Sequence, residues 1–338
     1  MTRVPYEEMK NEIKRILLSR KFTEERADQS ATLFAQASLD GVYSHGLNRV
    51  PRFVDYIDKG WVNIDAEPEL VDSVNLIERY DGKLGPGDLN AQICMNRAVE
   101  IAKENGLGLV TIKNTNHWMR GGNYGWQAAD AGCIGISWTN TEPCMPAWGA
   151  KDNRVGNNPL VLAVPREKGH IVLDMAMSQF SYGKLEVTRL KNELLPVDGG
   201  FDKVGNLTRQ PGEIEESKRI LPTGYWKGSG LAFLLDIIAS LLSGGLASDK
   251  IEEVKPAPNA SGYRTSQVFI AIDPGKLSGP LFAEQVVNDA VEYLHQAELA
   301  EDHKGVSYPG ERTAKTRAEN DKNGIPVNEE IWETVKKL

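Results

Sequence analysis

The chain has 338 residues, 41% of them hydrophobic and 25% charged, enough to bury a full core in two or three domains or one intertwined fold. A formal charge of -8, with no basic tract to neutralise phosphates, argues against nucleic acid or an anionic membrane as the main partner. It leaves room for a local positive pocket that holds a small anion.

From the N-terminus, Met9, Ile13, Ile16 and Leu17 fall on one stripe at helical spacing. Thr23 followed by Glu24 and Glu25 predicts a second helix to about Leu39, its acidic first turn matching the positive end of the helix dipole. A third is predicted from near Arg49 to Lys59, with Pro51 in its first turn, where proline is tolerated, and Gly60 ending it. The centre then alternates: helix from Asn90 to Asn105, strand from Gly106 to Lys113, helix from Asn123 to Ala131, strand from Cys133 to Thr139. Two further strands, Leu160 to Val164 and His170 to Met175, flank the polar turn PREKG. Gln179 to Leu190 reads as helix, Asp198 to Glu216 as a polar loop and Gln267 to Ile272 as a strand. The longest apolar stretch, Gly230 to Leu246, is interrupted by Asp236 and a Gly-Gly pair and reads as a buried helix, not a bilayer span. Helix resumes from Phe282 to Leu299 and in two short charged segments ending at Leu338.

Cys94, Cys133 and Cys144 are scattered and show no CxxC spacing, which fits reduced thiols. The start MTRVPYEEMK has no apolar run of a signal peptide. The expected location is the cytoplasm, with neither membrane nor nucleic acid as partner.

No Rossmann fingerprint is present. Its nearest approach, Gly228-Ser229-Gly230, has Phe233 where the third glycine belongs and no strand before it, and reads equally as a flexible lead into a helix. No P-loop, HExxH or GxSxG occurs, and no close His/Asp/Glu cluster predicts a metal. Two histidines stand in dense polar and aromatic runs. Tyr43-Ser44-His45-Gly46-Leu47-Asn48-Arg49 packs a proton donor and an anion binder together, and on a helix His45 and Arg49 would face one way. The alternative is that Ser44 caps a helix and His45 is structural. Asn116-His117-Trp118-Met119-Arg120-Gly121-Gly122 follows a predicted strand, where binding residues of α/β folds gather. A polar turn over a hydrophobic edge would look the same.

Longer runs settle more. YSHGLNR, TNHWMRGG, YGWQAA, PAWGAK, LDMAMSQFSYGKLEV, LPVDGGFD, GNLT and ILPTGYWKGSGLAFLLD, spread over essentially the whole chain, resemble the type 2 malate/L-lactate dehydrogenase family, in particular its reductases of 2-oxo sugar acids. The resemblance implies an α/β, non-Rossmann, mixed-sheet dehydrogenase fold of the malate/L-sulfolactate type. Helical segments 1–75 and 280–338 would pack together, and 76–279 would form the mixed α/β region binding cofactor and substrate. It implies a homodimer and NADH-dependent reduction of a small-molecule 2-oxo acid. By position, His45 becomes the proposed acid/base, with His117 in support, and Arg49, with Ser44 beside it, the partner of the substrate carboxylate. Cofactor contacts fall on His170, Ile171, Val172, Leu173, Asp174, Met175 and Ala176, on Trp226 and Lys227, and on Gly310, Glu311 and Arg312. Two departures stand out: Gly156-Asn157-Asn158-Pro159 where many relatives read G-T-N-P, and Arg312 in a turn where the compared relatives read Gly-His-Glu. Asp174 in a nearly neutral segment suits a ribose hydroxyl and hence NAD, whereas Lys227 or Arg312 beside the adenosine would suit NADP. The alternatives are a malate/lactate-type or cyclic imino-acid oxidoreductase of the same family or, from another class, a non-redox sugar-acid binding protein or lyase.

Overall fold

The computed structural model describes residues 2–256, 263–301 and 303–338. Seven strands form the central sheet: β1 (Glu69–Val74), β2 (Ile77–Asp81), β3 (Leu107–Thr115), β4 (Ile134–Thr139), β5 (Leu160–Val164), β6 (Ile171–Met175) and β7 (Thr265–Ile272). Their order is β1-β2-β3-β7-β4-β5-β6. Neighbours run antiparallel except β2 and β3. A parallel pair needs a crossover, and helix Gly87–Asn105 supplies it. The sheet is therefore mixed, and β6 is one of its two edges, β1 the other.

Apolar residues sort onto three surfaces. On one face of the sheet, Met95 and Ala98 of the crossover helix and Tyr124 of helix Gly122–Asp130 pack with Val110, Ile112 and Phe269. On the other, Ala232, Leu235 and Ala239 of helix Trp226–Ser243 meet Trp138 and Val268. The third core joins the two ends of the chain. Met9, Ile13, Ile16 and Leu17 are buried with Phe34, Phe53, Ile325, Trp332 and Val335, and Arg3–Val4 pairs with Ile325–Pro326. The stripe seen in sequence is the buried face of helix Tyr6–Ser19, where each full burial of a Leu or Ile contributes about 1.5–3 kcal/mol.

Several elements differ from the sequence reading. Strand β1 lies within the first 75 residues, expected as helical. All of its residues are exposed, so no alternation of apolar and polar positions marks it, and pairing with β2 is what orders it. The expected loop from Asp198 to Glu216 holds a short strand pair, Gly200–Phe201 with Leu207–Thr208, and helix Pro211–Ser217, whose proline opens the first turn. Gly228-Ser229-Gly230 lies inside the first turn of helix Trp226–Ser243 and is not a lead into it. That helix, expected to be buried, is open on one side, with Phe233, Leu234 and Leu241 exposed, the last at 75%. By length and composition it is apolar enough to cross a membrane. Its inner face instead carries Asp236, which accepts hydrogen bonds from Asn140 and from the Ser248 amide.

Candidate active site

The run Tyr43–Arg49 folds as two 3-10 turns, Tyr43–His45 and Leu47–Arg49, hinged at Gly46. A Cβ on Gly46 would stand 2.1 Å from Ser38 Oγ and 2.9 Å from the Phe34 carbonyl oxygen, so only glycine lets the turn lie against helix Glu24–Leu39. Ser38 then accepts a hydrogen bond from the Leu47 amide at 2.8 Å. Ser44 caps no helix: helix Val50–Asp58 has Arg49 at its N-cap with no side-chain cap, and Ser44 Oγ lies 3.0 Å from His45 Nδ1. A serine bonded to one ring nitrogen orients the imidazole and leaves Nε2 as the other working atom.

His117 sits two residues beyond the end of β3. Its loop is held by Tyr124, whose hydroxyl donates to the Trp118 carbonyl at 2.6 Å, and by Asn116, whose amide donates to the carbonyls of Leu84 and Gly85. Met119 takes a left-handed φ of 61°, a strained value for a side chain with a Cβ, and its N–H donates to His117 Nδ1 at 2.9 Å. That bond requires an unprotonated Nδ1, so the neutral ring carries its proton on Nε2.

The fold brings His45 and His117 face to face, with ring centroids 5.9 Å apart and planes 25° from parallel. Burial, then Arg49 and Arg120, push His45 down to about 4. His117 is held well below the usual imidazole range by burial first and then by Arg49, His45 and Arg52. Near neutral pH both rings are uncharged. Arg49 joins them: burial, then Arg52, lowers its guanidinium to about 10. Among the described residues no carboxylate lies within salt-bridge reach of Arg49. Glu142 acts on it only from further away and is itself 3.6 Å from Lys255. A half-buried guanidinium with no carboxylate in reach is a natural seat for a substrate carboxylate.

The proposed cofactor segments meet along the sheet edge. The Val172 amide donates to the Pro309 carbonyl at 2.9 Å, which draws the Gly310 turn onto β6. Gly310 has φ 97° there, and a Cβ would stand 3.0 Å from Val172 N, so this turn too needs glycine. Beyond the end of β6, the Thr223 amide donates to the Met177 carbonyl, bringing up the start of helix Trp226–Ser243 with Trp226 and Lys227 exposed. A positive helix start beside a lysine suits a phosphate. A cleft of about 640 Å³ opens between Tyr43, Leu173, Tyr308, Gly310, Arg312 and Thr316, within the range of about 300–1,000 Å³ usual for ligand sites. These residues fit a dinucleotide laid along the edge strand. Some named side chains already have partners. His170 accepts from the Arg166 amide at Nδ1 and lies 2.9 Å from Asp130 at Nε2. Glu311 is held by His295 and Lys315, and Asp174 accepts from the Gly122 amide at 2.8 Å.

One group was missed in the sequence. Asp40, at the end of helix Glu24–Leu39, is gripped by Arg120 and Arg317. Arg120 stands in the same run as His117, which was the available signal; Asp40 and Arg317 carried none. Among the described residues no group of three His, Cys, Asp or Glu side chains could hold a metal ion.

The profile of the family described as Malate/L-lactate dehydrogenase matches residues 4–336. A 2,3-diketo-L-gulonate reductase of Pasteurella multocida (strain Pm70) is 48% identical over 336 residues, covering 99% of this chain and 100% of that one. Among solved structures, malate dehydrogenase from Entamoeba histolytica superposes with a TM-score of 0.94 at 26% identity, over 99% of this chain and 96% of that one. Sulfolactate dehydrogenase from Methanocaldococcus jannaschii does so with a TM-score of 0.90 at 28% identity, over 99% and 96%.

Proposed function

Belonging to the malate/L-lactate dehydrogenase family, the chain is an oxidoreductase of hydroxy and oxo acids with a nicotinamide cofactor, and we propose that it reduces 2,3-diketo-L-gulonate to 3-keto-L-gulonate with NADH. The observation that carries this reading is the pair of stacked, neutral imidazoles beside an arginine that has no carboxylate in salt-bridge reach among the described residues. Arg49 takes the substrate carboxylate through a fork of two hydrogen bonds, which fixes the carbonyl face presented to the cofactor. When bound, the nicotinamide supplies the hydride that reaches the carbonyl carbon. The carbonyl π pair moves onto oxygen, and that oxygen takes a proton from His45 Nε2. His117, its proton kept on Nε2 by the Met119 amide, donates a hydrogen bond to the same oxygen as a neutral polariser.

Substrate binding also prepares the acid. The charge of Arg49 is the strongest charged influence holding His45 down, and a bound carboxylate cancels it, so His45 gains a proton more readily in the complex.

Cofactor preference follows from the same carry-over. Asp174 suits a ribose hydroxyl, while Arg312 is exposed, lines the cleft and makes no salt bridge among the described residues. A charge-assisted contact contributes about 1.5–3 kcal/mol, roughly ten- to a hundred-fold in affinity, so this one side chain decides a narrow contest. NADH is expected to give the higher kcat/KM across 2,3-diketogulonate, pyruvate, oxaloacetate and a cyclic imino acid, with diketogulonate first. A higher value for oxaloacetate overturns the substrate assignment. A higher value for NADPH overturns the cofactor, and Arg312→Ala then tells whether that guanidinium is responsible.

For the assembly, we propose a homodimer in which a second copy covers the exposed apolar face of helix Trp226–Ser243. Phe233, Leu234 and Leu241 lie on that face, and its start carries Trp226 and Lys227 of the proposed cofactor site. Light scattering is expected to give twice the chain mass, and Leu241→Asp to shift it toward the monomer; a wild-type monomer at assay concentration rules the dimer out.

A further inference from the structure

A buried ionic clasp acts on both His45 and Asp174, and the reaction as derived leaves it unused. The Asp40 side chain is 0% exposed and that of Arg120 only 4%. Arg317 brings Nε to 2.6 Å and Nη2 to 2.9 Å from the same carboxylate and lies 4.2 Å over the Trp126 ring. One carboxylate thus meets two guanidiniums. Arg120 also donates to Asn123 Oδ1 at 3.2 Å, while its Nε is buried without a hydrogen-bond partner among the described residues. That nitrogen faces the bare side of Gly122, where a Cβ would stand 3.2 Å from it and 2.8 Å from Asp174 Oδ2.

Arg317 stays partly exposed, but burying the Asp40–Arg120 pair is costly, and well-packed apolar side chains would serve stability as well or better. The clasp has another property: it ties together the segments that carry the site. Asp40 ends a helix five residues before His45, Arg120 stands three residues after His117, and Arg317 rides on the helix that follows the Gly310 turn. We propose that Arg120 is a positioning residue: gripped by Asp40, it fixes the His117 loop against the His45 turn and keeps a permanent positive charge beside His45. This rests on the reading of His45 as proton donor. Among the described residues, the charged or titratable groups that face His45 are Arg49, Arg120 and the stacked His117. Substrate cancels the first and the third is neutral, so in the complex Arg120 is the remaining charge that, after burial, opposes protonation of His45.

The test uses the full-length protein with Arg120→Gln, Arg120→Lys and Asp40→Asn, following kcat against pH, which reads ionisations in the substrate complex, together with thermal melting. Removing the Arg120 charge in R120Q is expected to move the His45 ionisation to higher pH by about one unit. It should also lower kcat roughly ten- to a hundred-fold through lost alignment. D40N unmasks the charge and moves the ionisation the other way. R120K keeps the charge, so the ionisation stays in place while kcat falls less. A clasp that serves stability alone lowers the melting temperature of all three and moves no ionisation, and that result overturns the proposal. Should R120Q fail to fold, D40N decides, since an unmoved or raised ionisation there contradicts Arg120 as the source. His45→Asn separates the two levels. Normal turnover in that variant removes the proton-donor reading and this inference with it, whereas an inactive His45→Asn with unmoved ionisations in R120Q and D40N removes only the inference.

Discussion

Replacing His45 by asparagine is expected to lower turnover by about 10²-fold or more while leaving NADH affinity within about a factor of two. Asparagine keeps a polar group of similar reach beside Ser44 but cannot deliver a proton. The proposed cofactor segments lie along β6, at the start of helix Trp226–Ser243 and on the Gly310 turn, and His45 belongs to none of them. The direction of the pH effect follows from its depressed ionisation. In the free enzyme His45 is held to about 4, so near neutrality only a small fraction is protonated. Reduction needs the protonated form, and kcat/KM for reduction therefore rises as pH falls through neutrality. Oxidation of the hydroxy acid needs the neutral base, which is already present above that ionisation, so its rate is flat there. His45→Asn should abolish the first dependence. Near-normal turnover, or a retained pH slope, would move the acid role to His117. The Met119 bond argues against that transfer, because a charged His117 would turn an Nδ1 proton against an amide proton.

The second large effect is at Arg49. Arg49→Lys keeps the charge but not the planar fork, and kcat/KM for 2-oxo acids is expected to fall roughly ten- to a hundred-fold. The loss should be divided between KM and kcat, because a carboxylate held by a single point charge no longer presents one carbonyl face to the cofactor. NADH binding should not change. His45 gives an independent readout, since lysine retains the positive charge and its ionisation should stay close to that of the wild type. Arg49→Met, by contrast, should raise it. Kinetics equal to the wild type in Arg49→Lys would make Arg49 structural.

Local pattern was a sufficient record where burial repeats along the chain. Met9, Ile13, Ile16 and Leu17 mark a helix because one face of it is in the core, and β3 and β7 read as strands because they are central in the sheet and lined with apolar residues. The motifs around His45 and His117 placed the chain in its family through their long, specific runs of side chains. Other features left no such trace. Strand β1 is exposed along its whole length, so its order comes from pairing with β2 and not from its own composition. The apolar residues of helix Trp226–Ser243 are split between a packed face and an open one, and a sum over apolar residues cannot separate the two. The site itself was decided last. His45 and His117 stack although 72 residues separate them, and Arg317 reaches Asp40 across 277. Nothing within a few residues of either partner encodes such a meeting. It follows from how helix Glu24–Leu39, the loop after β3 and helix Glu311–Asn323 pack on one another, and only the tertiary structure sets the distances on which the charge of the imidazoles depends.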